Sequence, residues 1–326
     1  MKRERHSRRS LLTTILSPLF AALLASGVGF SQAQSTNNNP AQPAAILKTD
    51  FTVGRSPNAI LFDGTNIWVA NQMADNVMKL SALDGIILGT FPTGTRPAAL
   101  AYDGENVWVA NKFSNSVMKL RASDGSLLET IKVGRRPEAL FFDGSSIWVA
   151  NGDDNTVSKL RESDGASCTF VVGNRPVAMA FDGLNIWVVN NNSNNVTKLR
   201  ADNGVNLGTF DVGREPMGIA FDGANIWVTN FYSKSVTRLR SDGTIKDRIA
   251  VDDGPAAITF AGGHILVANY GGSSITQIAP DTGKVAPTIA VGRGPISVTF
   301  DGTNIWVANG SGNSVSKVKI SDNSSP

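Results

Sequence analysis

A tryptophan recurs along this chain at nearly constant intervals. Trp68, Trp108, Trp148, Trp187, Trp227 and Trp306, with Leu266 standing in the same register, are separated by 40, 40, 39, 40, 39 and 40 residues. Spacing this regular marks a repeat architecture, in which each unit buries its apolar surface only against its neighbours. The third copy shows the unit: Val133-Gly134-Arg135-Arg136-Pro137-Glu138-Ala139-Leu140-Phe141-Phe142-Asp143-Gly144, then Ile147-Trp148-Val149-Ala150-Asn151 and Thr156-Val157-Ser158-Lys159-Leu160. Copies begin near Val53, Thr93, Val133, Val172, Val212, Val251 and Val291.

Each copy carries four short apolar runs. In the third they are Glu138 to Phe142, Ile147 to Ala150, Val157 to Leu160 and Cys168 to Val172, separated by Asp143-Gly144, the segment 151–155 and Asp164-Gly165. Short runs bounded by Asp-Gly and Asn are strands joined by hairpin turns, because Asp-Gly supplies the positive φ a tight hairpin needs. No stretch beyond the N-terminal region has a helical period. Four antiparallel strands per repeat, seven times over, predict an all-β fold: a seven-bladed β-propeller of four-stranded antiparallel blades. A blade is covered on both faces, so runs such as Ile147-Trp148-Val149-Ala150 are apolar without alternation, and the indole serves as a wedge between adjacent sheets.

The seventh copy stops after its third strand, Ser314 to Ile320, and the tail 321–326 is too short and polar to supply a fourth. The missing strand is at the other end. Residues 46–54 (Ile-Leu-Lys-Thr-Asp-Phe-Thr-Val-Gly) align with residues 126–134, a fourth strand, so the ring is expected to be closed by the N-terminal strand. Closure removes the exposed sheet edges of an open array.

The first 33 residues read as an export signal: basic from Met1 to Ser10, apolar from Leu11 to Phe30, with small Ser31 and Ala33 at a cleavage site. Arg8-Arg9 also resembles a twin-arginine signal, so that route and general secretion both stay open, as does an uncleaved anchor. Residues 34–44 form a polar, Pro-containing linker, and 45–326 the propeller. The destination is the periplasm or the extracellular space. The formal charge of +3 depends on the signal: without it 25 Lys and Arg face 26 Asp and Glu, a net charge of about −1. No nucleic-acid footprint is expected, nor a membrane span after cleavage. Cys168 is the single cysteine, which excludes an internal disulfide, and it is expected to be a buried, inert thiol.

Trp227-Val228-Thr229-Asn230, Thr156-Val157-Ser158-Lys159 and Asp281-Thr282-Gly283-Lys284-Val285 resemble the blade motif of the YVTN-repeat propellers, a YncE-like and NHL-like group. The resemblance runs from about Ile46 to Ile320. It implies the seven-bladed ring, and it says little about activity because such propellers are alike mainly in their structural residues.

The loops between blades and those between second and third strands share one face of a propeller, with the Asp-Gly turns opposite. Between-blade loops carry Arg55, Arg96, Arg135, Arg136, Arg175, Arg214 and Arg293, each one or two residues before a Pro. Guanidinium groups around a channel mouth suit a carboxylate or phosphate ligand. The competing reading is that each pairs with a local carboxylate, and the two offsets from Pro need not point the same way. Asn71, Asn111, Asn151, Asn190, Asn230, Asn269 and Asn309 occur in every copy and read as turn closers bonding their own backbone. The sixth copy is the irregular one: it lacks the Trp, has Asp252-Asp253-Gly254 in place of the Arg, and brings His264, Tyr270 and Gly271-Gly272, while the fifth carries Phe231, Tyr232 and Lys234.

Enzymatic readings are thin. The similar streptogramin lyases use histidines beside a metal, and beyond the signal this chain has only His264, next to an Asp-Gly-type turn. Glu138, Glu215, Asp252 and Asp253 are the carboxylates near the mouth for a gluconolactonase-like cation site. Neither a Ser/His/Asp triad, nor zinc spacing, nor a phosphate loop is present, so no catalytic residue, cofactor or metal ligand is assigned. The expectation is a monomeric, exported, non-catalytic binding module for a protein or a small anionic ligand, through Arg55, Arg96, Arg136, Arg175, Arg214, Arg293, Asp252, Asp253 and Tyr232. The alternative is a metal-dependent hydrolase or lactonase with its site in the channel.

Overall fold

A computed structural model of the chain describes residues 46–161 and 167–320. The expected signal and linker, the Asp164-Gly165 turn and the polar tail lie outside the described residues. The rest forms seven four-stranded antiparallel sheets, six of them running outward in sequence order from the first strand and the seventh ending on the N-terminal strand. The first strands begin at Pro57, Pro97, Pro137, Pro176, Pro216, Pro255 and Pro295 and contact one another around a ring that closes between the seventh and the first. Among the described residues no helix is long and apolar enough to cross a membrane.

Ring closure follows the sequence reading. Ile46–Thr52 pairs antiparallel with Ser314–Ile320, from Ile46 opposite Ile320 to Thr52 opposite Ser314, and is the outermost strand of blade 7. Blade 7 is thus built from both ends of the ring, and Phe51 of the N-terminal strand stacks on Trp306, ring centroids 5.7 Å apart.

The core is a series of wedges between blades. Trp68, for example, packs with Ala59, Ala70 and Val77 of its own blade and with Val107, Val109 and Leu120 of the next. All six indoles are fully buried. Each indole N–H donates to the Asp of the preceding Asp-Gly turn, at 2.7 or 2.8 Å in Asp63–Trp68, Asp103–Trp108, Asp143–Trp148, Asp182–Trp187, Asp222–Trp227 and Asp301–Trp306. The same Asp accepts backbone N–H bonds that close its turn, as Asp143 does from Ser145 and Ser146. Asp-Gly is therefore both a turn and the polar seat of the wedge.

Two expectations are corrected. Cys168 is exposed, not buried: Ser167–Val171 is the fourth, outermost strand, whose pattern leaves Val171 exposed as well. The strand-end Asn residues are buried as expected of structural groups, but their amides reach the third strand's side chains instead of their own backbone. Asn190 Nδ2 donates to Asn195 Oδ1 at 2.9 Å and to Thr197 Oγ1 at 2.8 Å. The Gly of each Val-Gly motif makes room for this amide; a Cβ on Gly134 would lie 2.5 Å from the Asn151 side chain.

Candidate functional site

The seven first strands enclose a channel of about 480 Å³, walled mainly by small and aliphatic side chains such as Ala59, Ala99, Ala139 and Ala257. Polar groups gather at one end, where Lys112, Glu138 and Arg175 line it. Lys112 belongs to a loop between second and third strands, so this mouth opens on the face shared with the between-blade loops.

Local backbone devices place these groups. The residue before each Pro has positive φ: Ser56, Arg96, Arg136, Arg175, Glu215, Gly254 and Gly294 lie between 48° and 64°. Its carbonyl accepts the N–H of the residue following the strand-end Asn, as Arg96 does from Lys112 at 3.0 Å and Arg136 from Gly152 at 2.8 Å. Its own N–H is held by the preceding blade, Arg136 by Asn115 Oδ1 and Arg175 by Asn155 Oδ1, both at 2.9 Å. The residue after the Pro is a β-bulge: Pro137 faces Asn151 and Ala139 faces Ala150, leaving Glu138 without a partner in the ladder. A bulge re-aims the side chain it frees, and Glu138 turns into the mouth.

Three cations converge on Glu138, whose side chain is only 10% exposed. Lys112 Nζ is 2.9 Å from Oε2, Arg136 Nε 2.8 Å from Oε1, and Arg175 Nη2 4.0 Å from Oε1. Arg175 Nη1 donates to Asn191 Oδ1 at 3.1 Å, and its buried Nε has no partner among the described protein groups. Beside this cluster a shallower depression is lined by Arg135, Arg136, Asp153 and Arg175. There Arg135 pairs with Asp154 at 2.6 Å and Arg136 with Asp153 at 3.4 Å. Buried Glu138 and exposed Asp153 against three cations leave one positive charge in excess, and Arg175 with donor capacity to spare, the chemistry that takes an oxyanion.

The predicted arginines separate into two groups. Arg136 and Arg175 meet at the mouth. Arg96 occupies the same register but lies over the Phe113 ring, 5.1 Å from its centroid. Arg55, Arg214 and Arg293, one residue further from Pro, are exposed; Arg55 donates to Met73 O at 3.0 Å, and the other two make no side-chain hydrogen bond or ion pair among the described residues. Asp252 accepts from Ser274 Oγ at 2.7 Å, and Asp253 pairs with Lys234 at 3.1 Å. Tyr232 is 59% exposed and sits edge-on to Phe231, which in turn approaches Tyr270. None of these last three lines the channel. Lys112 was missed by sequence reasoning; its signal was that it is the only cation immediately following a strand-end Asn. Among the described residues no group of three or more His, Cys, Asp or Glu is placed to hold a metal ion.

No protein-family model matches the chain, and no curated protein sequence does. Solved structures do. A virginiamycin B lyase from Staphylococcus aureus superposes with a TM-score of 0.74 at 18% identity, over 85% of this chain and 100% of that one. A streptogramin B lyase gives 0.73 at 18% identity, over 85% and 98%. A hydrazine synthase chain from Kuenenia stuttgartiensis gives 0.72 at 19% identity, over 82% and 96%. Likeness at these identities carries the fold: the chain is a seven-bladed β-propeller.

Proposed function

We propose that this protein is an exported, non-catalytic binding propeller that takes a small anionic ligand at the mouth of its central channel. The observation that carries the reading is the convergence of Lys112, Arg136 and Arg175 on the single buried carboxylate of Glu138. Cations held in a partly desolvated recess reinforce one field, whereas an isolated surface pair contributes about 0–1 kcal/mol. Export to the periplasm or beyond rests on the basic and apolar pattern of residues 1–33, and kinship with the YVTN-repeat propellers on the blade motif of Trp227-Val228-Thr229-Asn230. A near-neutral mature chain lacks the basic surface that nucleic acid requires, which favours a compact anion as the ligand.

The test is calorimetric titration of the mature protein with citrate, phosphate and a sulfated oligosaccharide at low and physiological salt. Saturable binding of at least one, weakened by salt, is expected. No saturable binding of any of the three removes the reading.

A further inference from the structure

Six blades share a four-residue stack at the interblade gap. The Asp of the turn receives the indole N–H, an Asn or Ser two residues before the Trp closes the turn, and a Lys or Arg from the third strand lies over the ring. Lys79, Lys119, Lys159, Lys198, Arg238 and Lys317 stand between 4.8 and 5.4 Å from their ring centroids. Several also bond main-chain oxygens of the next blade, as Lys79 does with Ala122 O at 2.7 Å and Lys198 with Ser241 O at 2.7 Å. The stack fills the inner part of the gap with an aromatic ring, a buried carboxylate and a cation; outside it, hollows of about 460 and 370 Å³ remain beside Lys159 and Lys317.

Blade 6 has lost all four parts together. The corresponding positions are Ala261, His264, Leu266 and Gln277. Ala261 cannot accept an N–H, Leu266 is smaller than an indole, and Gln277 carries no charge. A cavity of about 490 Å³ opens here on the Asp-Gly face, walled by these four residues together with Phe300 and Ile305 of blade 7. Its interior side is apolar: Leu266 and Ile305 are each 2% exposed. Polar groups sit at its entrance. His264 Nδ1 lies 2.9 Å from Gly262 O and donates to it, which leaves Nε2 facing outward. Lys319, also lining the cavity, is exposed and makes no ion pair among the described residues.

We infer that this gap is a second binding site, for a small flat aromatic acid whose ring enters the gap over Leu266, where the other blades carry an indole and a cation. The cavity is of the size that holds such ligands, with an apolar floor and with His264, Gln277, Thr303 and Lys319 around it to orient the occupant. The ring packs against Ala261 and Phe300, above the buried Leu266 and Ile305, while Gln277 and His264 Nε2 meet its polar edge and Lys319 attracts the carboxylate. The site faces away from the channel mouth and is independent of the anion site proposed there.

Titration of the mature protein with indoleacetate, indole and hexanoate tests it. Wild type is expected to bind indoleacetate saturably, indole more weakly and hexanoate hardly at all. The variant Ala261→Asp/Leu266→Trp/Gln277→Lys rebuilds the stack of the other blades; it should melt no lower than wild type and bind indoleacetate at least about tenfold more weakly. Should that variant fail to fold, Leu266→Phe narrows the gap by one ring and must weaken binding in the same direction. Lys319→Gln should bring the affinity for indoleacetate down to that for indole while leaving indole unchanged. Absence of saturable indoleacetate binding by wild type, undiminished binding by the folded filled variant, or an unchanged acid preference in Lys319→Gln overturns the proposal.

Discussion

Trp148 donates its indole N–H to Asp143 Oδ2 across 2.7 Å, and the two side chains tie a surface turn to the wedge between blades 3 and 4. Phe170, from the outermost strand of blade 3, lies 5.8 Å from the same indole. Trp148→Ala should therefore destabilise by about 3–5 kcal/mol, through lost burial and a residual cavity. Trp148→Phe restores most of the volume but leaves Asp143 short of a donor, so it should still be less stable than wild type. Urea unfolding measures both, and ligand binding by the folded fraction should be unchanged. A Trp148→Phe variant as stable as wild type would show that the hydrogen bond contributes nothing.

The same carboxylates give the ring an acid limit. Burial pushes Asp103, Asp143, Asp182, Asp222 and Asp301 upward, but indole, backbone and side-chain N–H donors outweigh it and hold all five below the ordinary value of 3.8. A carboxyl with a lowered folded pKa stabilises the native state fully above its unfolded pKa, and that contribution disappears as pH falls through the folded value. Melting temperature should stay level from neutral pH to about 5 and fall steeply below about 4. Asp143→Asn/Asp182→Asn should lower stability at neutral pH and make the fall between pH 5 and 3 shallower. Parallel pH profiles for variant and wild type would contradict this account.

Closure by Ile46–Thr52 makes the N-terminal strand part of blade 7. Deleting residues 45–53 removes that ladder and the Phe51 ring from Trp306, whereas deleting residues 35–44 removes no described contact. The first truncation should melt far lower than the second, and equal melting temperatures would contradict the closure.

Much of this fold could be read from the letters because it repeats. The Trp spacing, the Asp-Gly turns and the match of residues 46–54 to a fourth strand each follow from local rules. Orientation within the loops could not be read. Whether an Arg faces the mouth depends on a positive φ before Pro and a bulge after it, and neither device changes composition or hydrophobic pattern. The two offsets from Pro set Arg136 and Arg175 apart from Arg55, Arg214 and Arg293 in the sequence, but do not say which register faces the mouth. Cys168 was misjudged for a related reason: its run is as apolar as an inner strand, but it is the fourth strand, which has no sheet beyond it. The Asp–Trp bond left a readable trace, since Asp occurs five residues before Trp in six copies and is Ala261 where Trp is Leu266.

Binding of citrate by two sets of variants tests the central claim, that the inner register of arginines is the anion site. Arg136→Gln/Arg175→Gln removes the two guanidinium groups that meet at Glu138, while Arg55→Gln/Arg214→Gln/Arg293→Gln removes more charge from the exposed register of the same face. Calorimetric titration at low salt should show citrate affinity lost in the double variant and nearly retained in the triple one, with both melting within a few degrees of wild type. Affinity lost in the triple variant and kept in the double one would contradict the account.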